Sequence, residues 1–146
     1  MTTQPSLIIF DYMRTLYDPE NNVLFAGAKE TLAWCKEHGY ELILVSRKEG
    51  QREKQMQELG INDYFSNIIL TKDKRHEIHT IAQEHMKTHL YVVGDRVREE
   101  ITAGNAVGAT TIWFKLGKFA QELPESKEQE PTHCISSYTE LVKILP

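Results

Sequence analysis

The chain is 146 residues long, 40% hydrophobic and 26% charged, the size and mix of one globular domain with a sizeable core. A formal net charge of −4 and a pI of about 5.9 argue against nucleic acid as the main partner, because phosphate-backbone binders carry a basic face. No apolar run approaches membrane-spanning length, Met1 to Ser6 lacks the regions of a signal peptide, and Cys35 and Cys134 have no disulfide or metal spacing and read as core thiols; these features predict a cytoplasmic protein without a membrane partner.

In chain order, Leu7-Ile8-Ile9-Phe10 is a short apolar run ending at Asp11, the pattern of a strand buried on both faces. Thr15-Leu16-Tyr17 and Val23-Leu24-Phe25 flank Asp18-Pro19-Glu20-Asn21-Asn22, which predicts a small hairpin. A helix is expected over 26–38, with Leu32 in line with Ala28 and Cys35 and Gly39 as its cap. A second strand covers 41–45 and runs into Ser46, a polar helix covers 49–59 and stops at Gly60, and 67–71 reads as a third strand. Residues 74–87 read as a helix with Ile78, Ile81 and Ala82 inward, and 90–93 as a fourth strand running into Gly94-Asp95. A short helix over 99–107 closes at Gly108, and 110–114 is a fifth strand. Residues 121–131, rich in glutamate with two prolines, predict a solvated, mobile loop. An edge strand over 133–135 and an amphipathic helix over 138–145, with Leu141, Ile144 and Leu145 on one stripe, complete the chain. The alternation predicts an α/β fold: a doubly wound, three-layer domain over 1–146, its mostly parallel sheet of about five strands lying between helices.

Parallel α/β sheets bind ligands just outside the carboxyl ends of their strands, so Asp11, Ser46 and Asp95 are expected to converge in one crevice. Asp11 is placed to attack phosphorus as a nucleophile, with a turn or cap role as the alternative. Asp95 suits a hard cation such as Mg²⁺ or a helix cap. Glu99 and Glu100 follow one turn later and would orient metal-bound water or favour the helix N-terminus. The hydroxyl of Ser46 and the amides beyond it would hold a phosphate oxygen or cap the next helix. Lys72 and Lys74 compete to neutralise phosphoryl charge. His76 and His79 share a helix face, but with no third ligand in view they read as solvated rather than as a zinc site.

The order of these signals resembles the haloacid dehalogenase-like (HAD) superfamily. LIIFDYMRTL from Leu7 to Leu16 resembles its first motif, an apolar strand followed by Asp-x-Asp-x-Thr. LILVS, ending at Ser46, resembles the second; TKDKRHEI offers Lys74 for the third; and VVGDRVREEI from Val92 to Ile101 resembles the fourth. The run Ala103-Gly104-Asn105-Ala106-Val107-Gly108-Ala109 before TIWF is similar to that family too. The resemblance implies a Rossmann-like core with a hairpin flap after the first strand. It implies an Mg²⁺-dependent phosphohydrolase that forms an aspartyl phosphate. Asp11 would be nucleophile and metal ligand, Asp95 and Glu100 would bind the metal with the Met13 carbonyl, and Ser46, Arg47 and Lys74 would grip the phosphate.

One departure matters. The family's phosphatases carry a proton-transferring aspartate where this chain has Met13, and a thioether moves no protons at neutral pH. The expectation is a slow or specialised enzyme; the alternative is an impaired relative that binds a phosphorylated ligand or protein. Arg14 replaces the usual glycine and would alter the turn or place a cation at the site mouth. Only 35 positions separate Asp11 from Ser46 and 28 separate Ser46 from Lys74, too few for a cap domain. The site is expected to be open and lidded only by the 15–25 hairpin, which suits a bulky or macromolecular phosphorylated substrate. A receiver-type signalling domain is the rival from another class, but it needs a phosphoacceptor aspartate after the third strand, where Thr71-Lys72 stands. A dinucleotide-binding module is weaker still, since no glycine-rich turn follows the first strand.

Overall fold

The computed structural model describes residues 6–146; the signal-peptide expectation falls almost wholly on residues 1–5, outside the described residues. The apolar runs form strands where expected. β1 (Ser6–Phe10) is followed by a hairpin of β2 (Tyr17–Asp18) and β3 (Val23–Leu24), helix α1 (Ala28–Glu37), β4 (Glu41–Arg47) and α2 (Arg52–Leu59). Then come β5 (Asn67–Thr71), α3 (Lys74–Glu84), β6 (His89–Gly94), α4 (Thr102–Ala106), β7 (Thr110–Phe114), β8 (His133–Ile135) and α5 (Tyr138–Ile144). The main sheet has the order β5-β4-β1-β6-β7-β8. Every pairing in it is parallel. The sheet therefore has six strands rather than about five, because the short edge segment pairs in register with β7, Phe114 opposite Ile135.

Burial explains the uniform apolar character of the central strands. Leu7, Ile8, Ile9 and Phe10 are all at most 1% exposed, so both faces of β1 are covered. Ile8, Phe10, Leu42 and Leu44 pack with Leu32 and Cys35 of α1, Met56 of α2 and Leu141 of α5. Leu7, Ile9, Ile43 and Val45 pack with Ile78 and Ile81 of α3 and Ala103 of α4. The result is a three-layer doubly wound domain in which no cap domain appears among the described residues. Gly104 lets α4 lie flat on the sheet: a β-carbon there would stand 2.6 Å from Thr111 Cγ2 and 3.0 Å from Val92.

Several details differ from the sequence pattern. β4 continues through Ser46 and Arg47, and α2 starts only at Arg52, with no side chain capping it. Ser46 is therefore a strand residue and not a helix cap. Residues 97–101 form a wide π-helical turn ahead of α4, a local geometry often found at functional sites. The 121–131 segment is tied down. Asn105 donates to the carbonyls of Glu128 and Glu130 at 2.9 and 2.8 Å, and Glu122 and Glu125 pair with arginines. Its glutamates look solvated in sequence because their partners are distant in the chain. Cys134 is exposed while Cys35 is buried; β8 is the edge strand, and only Ile135 of its residues is buried. No helix among the described residues is long and apolar enough to cross a membrane.

Candidate active site

The two central strands deliver the two carboxylates. β1 and β6 are parallel neighbours with Phe10 opposite Val93, so the next residues out of each strand emerge side by side. The amide of Asp11 donates to Val93 O at 3.0 Å, which carries the pairing one step past β1. Glu100 comes back into the same space from the π-helical turn, and carboxylate oxygens of Asp11, Asp95 and Glu100 lie within 4.8 Å of one another. All three are buried, at 2, 3 and 2% exposure. Gly94 makes this approach possible: a β-carbon there would sit 2.8 Å from Glu100 Cβ, Cγ and Oε2.

Lys74, the first residue of α3, neutralises part of that charge. Its ammonium donates to Asp11 Oδ1 at 2.6 Å and to Glu100 Oε1 at 2.5 Å. The other Asp11 oxygen accepts from the Thr15 hydroxyl at 3.0 Å, and Glu100 Oε2 accepts from the Arg96 amide at 3.1 Å. Trp113 Nε1 donates to the Asp95 carbonyl at 3.0 Å, and the Tyr138 hydroxyl donates to the Thr15 carbonyl. Burial works against the charge of Lys74, but Asp11 and Glu100 outweigh it and hold the ammonium above the usual lysine range. Burial, then the neighbouring charges of Asp11 and Glu100, pushes Asp95 up to about 10. Glu100 is pushed up to about 7 by burial and then by Asp11, against the pull of Lys74. Crowded carboxylates short of positive charge are what a hard divalent cation relieves, and this oxygen-only donor set fits Mg²⁺. It is the one such cluster among the described residues; His76 and His79 are exposed and join none.

Above this floor lies a crevice of about 170 Å³. Met13 and Arg14 line it directly beyond Asp11, and Arg47, Arg52 and Arg96 close its sides. A second hollow of about 410 Å³ adjoins it and shares Met13, Glu49 and Arg52. Ser46 lies buried behind this wall, its hydroxyl accepting from Arg52 Nη1 at 3.1 Å. Lys72 is exposed, so Lys74 is the lysine of the pair that meets the carboxylates. Likewise Glu100 and not Glu99 joins them, since Glu99 pairs with Arg47 and Arg96.

The hairpin is not the lid. No residue of 15–25 lines the crevice; Phe119, on the stretch after β7, does. That stretch is held by Glu122, which pairs with Arg96 at 3.0 Å and accepts from the Arg98 amide at 3.0 Å. Thr15, Arg52, Arg96 and Phe119 also stand at the site, and no sequence pattern singles out the last three. Thr15 alone had a signal, as the threonine of the first motif.

A sequence profile of the HAD-hydrolase-like family matches residues 69–141, half of the chain. The chain belongs to the HAD-hydrolase-like family. It is 28% identical over 135 residues to a glyceraldehyde 3-phosphate phosphatase of Pyrococcus furiosus, an alignment covering 82% of this chain and 53% of that protein. The chain thus spans about half the length of that relative. Among solved structures, a D,D-heptose 1,7-bisphosphate phosphatase from B. bronchiseptica, complexed with magnesium and phosphate, superposes with a TM-score of 0.71 at 14% identity. That match covers 96% of this chain and 99% of that one. A haloacid dehalogenase-like hydrolase from Burkholderia xenovorans gives 0.79 at 12% identity, over 97% of each chain. At these identities the superpositions establish a shared fold.

Proposed function

We propose that this chain is a single, uncapped HAD-like core domain that hydrolyses phosphate esters with Mg²⁺ as cofactor. The observation that carries this reading is the meeting of Asp11, Asp95 and Glu100 within 4.8 Å, with the Lys74 ammonium on Asp11. The phosphatase name of the Pyrococcus relative and the magnesium and phosphate bound by a protein of the same fold support it. Asp11, Asp95, Glu100 and the Met13 carbonyl would hold the ion. Bound there, Mg²⁺ would offset the negative charge that phosphate and carboxylate bring together.

The protein's own groups divide the remaining work. Thr15 and Lys74 fix the two oxygens of Asp11 and so aim the carboxylate. Asp11 attacks phosphorus, the bond to the ester oxygen breaks, and the leaving alkoxide takes its proton from solvent water, since Met13 has none to give. Water then attacks the aspartyl phosphate at phosphorus, which releases phosphate and restores Asp11. Lys74, with Arg47 and Arg52 at the crevice walls, balances charge on the transferring group. Ser46 steadies Arg52 and would meet phosphate only if that arginine moved aside.

Met13 limits the rate. It lines the crevice beside Asp11 and offers no proton, and a positioned acid and base are worth about 10²–10⁴-fold. The same residue favours the second reading, a relative that binds a phosphorylated ligand with little turnover. Phosphatase assays in Mg²⁺ separate the two. Slow turnover by the wild type, lost in Asp11→Asn and raised about 10²-fold or more in Met13→Asp, is the expected result. Turnover only in Met13→Asp favours the binding protein. No phosphate binding by the wild type in Mg²⁺ overturns both.

A further inference from the structure

Five cations line the crevice, and four are committed to carboxylates. Lys74 holds Asp11 and Glu100, Arg47 holds Glu99, Arg52 holds Glu49, and Arg96 holds Glu122 and Glu99. Arg14 has no carboxylate partner among the described residues, and its Nε is buried with no hydrogen-bond acceptor. The side chain is nonetheless held: its guanidinium carbon lies 5.7 Å from the centre of the Phe119 ring, which also takes Arg96 at 3.9 Å.

The backbone makes this placement deliberate. Arg14 sits at φ +62°, in the left-handed region that residues bearing a β-carbon seldom adopt. Its amide donates to Tyr17 O at 2.8 Å, so the tight turn is kept although the residue is not glycine. A strained position occupied by an unpaired cation, three residues after the proposed nucleophile and inside the crevice, calls for a ligand that repays the strain. Lys74, on the buried floor, already faces the group that would accept the phosphoryl. Arg14 is half-buried and lines the same crevice as Asp11 and Lys74, so the alcohol portion of an ester seated on Asp11 would come within its reach. A guanidinium presents paired, coplanar donors that fit a carboxylate or a phosphate.

We infer that Arg14 is a specificity residue that binds a second anionic group on the leaving-group side. The substrate class is then phosphomonoesters whose alcohol portion carries a carboxylate or another phosphate. This rests on the phosphohydrolase reading above and adds the identity of the leaving group to it.

The test compares three ligands of one carbon skeleton in Mg²⁺ at fixed ionic strength: glycerol 3-phosphate, 3-phosphoglycerate and glycerol 1,3-bisphosphate. Inorganic phosphate serves as the reference for the wild type. Affinity is read by calorimetry, or kcat/KM where the ester is turned over, on the wild type, Arg14→Gly and Arg14→Lys. Glycine suits the left-handed backbone, so the first variant keeps the turn. The wild type should favour at least one doubly anionic ligand over glycerol 3-phosphate by about tenfold or more, the range for a hydrogen bond to a charged group. Which of the two is favoured tells carboxylate from phosphate. Arg14→Gly should bring that ratio close to one, and Arg14→Lys should restore part of it. A wild type without the preference, or an Arg14→Gly variant that keeps it, overturns the inference while leaving the phosphohydrolase reading in place. Failure of the wild type to bind even inorganic phosphate overturns both.

Discussion

The floor and the rim of the crevice are built from the same chemistry in opposite solvents. On the floor, Asp11, Asp95, Glu100 and Lys74 are all no more than 7% exposed. On the rim, Arg96 pairs with Glu122 and Arg47 with Glu99, and these arginine side chains are 29% and 42% exposed. Removing charge from water is costly, and only a close partner repays it. Water and salt meet most of the need at the surface. The floor therefore concentrates energy and strain in a few contacts that admit little substitution. The rim spends little on any one pair, and its composition can follow the substrate.

Breaking the floor should give the largest effect. Lys74→Ala leaves Asp11 and Glu100 without their cation inside the protein, and the loss of one member of a buried pair costs about 3–5 kcal/mol. Urea unfolding of the metal-free protein should show this loss. Added Mg²⁺ should recover part of it by supplying positive charge to the same carboxylates; equal loss with and without Mg²⁺ would mean that the ion binds elsewhere. Gly94→Ala comes next. The new β-carbon would meet three atoms of Glu100 at 2.8 Å, and overpacking of this kind costs about 1–3 kcal/mol. Because Glu100 must move to make room, the variant should also lose Mg²⁺-dependent stabilisation, a coupling that a plain packing defect would not show. Asp95→Asn has the opposite sign. Burial and its neighbours already push Asp95 up to about 10, so near pH 7 it holds a proton that the unfolded chain would release, and an amide that avoids this cost should raise metal-free stability by about 0.5–2 kcal/mol while abolishing the response to Mg²⁺.

The same division decides what could be read from sequence. The floor was legible because it hangs on apolar strands, and the burial of those strands is written in runs such as Leu7 to Phe10. Their ends fix where Asp11 and Asp95 must emerge, whereas Lys74 over Lys72 and Glu100 over Glu99 are choices that only the resemblance to the HAD motifs implies. Even here, the continuation of β4 through Ser46 and Arg47 leaves no sequence signal, because polar residues at a strand end look like the start of a loop. The rim left no such trace. Arg96 and Glu122 are 26 positions apart, and Arg47 and Glu99 are 52 apart. No periodicity links them, and a glutamate awaiting an arginine from elsewhere looks like a glutamate in water. The 121–131 segment looks mobile in sequence for that reason, although Asn105 and two arginines tie it down. Cys134 looks like a core thiol in sequence but is exposed, because a strand pattern does not tell an edge strand from a central one.

The smallest predicted effect gives the sharpest contrast. Glu122 accepts from Arg96 Nε at 3.1 Å, pairs with Arg96 Nη2 at 3.0 Å, and accepts from the Arg98 amide at 3.0 Å. Glu122→Ala releases all of these, yet the partners remain near water, so the cost should be about 1 kcal/mol or less. Ionic strength separates this loss from that of Lys74→Ala. At 1 M salt the Debye length falls to about 3 Å, and the Glu122→Ala deficit should shrink towards the value of its lost neutral packing. The Lys74→Ala deficit should largely persist, because charges 2–7% exposed are screened far less than those at the surface. Parallel denaturation of both variants at about 0.05 M and 1 M NaCl reads the two slopes directly. A steep salt dependence for Lys74→Ala would show that solvent penetrates the floor. The carboxylates would then lack the enclosure that gives Asp11 its aim and Asp95 its need for a cation.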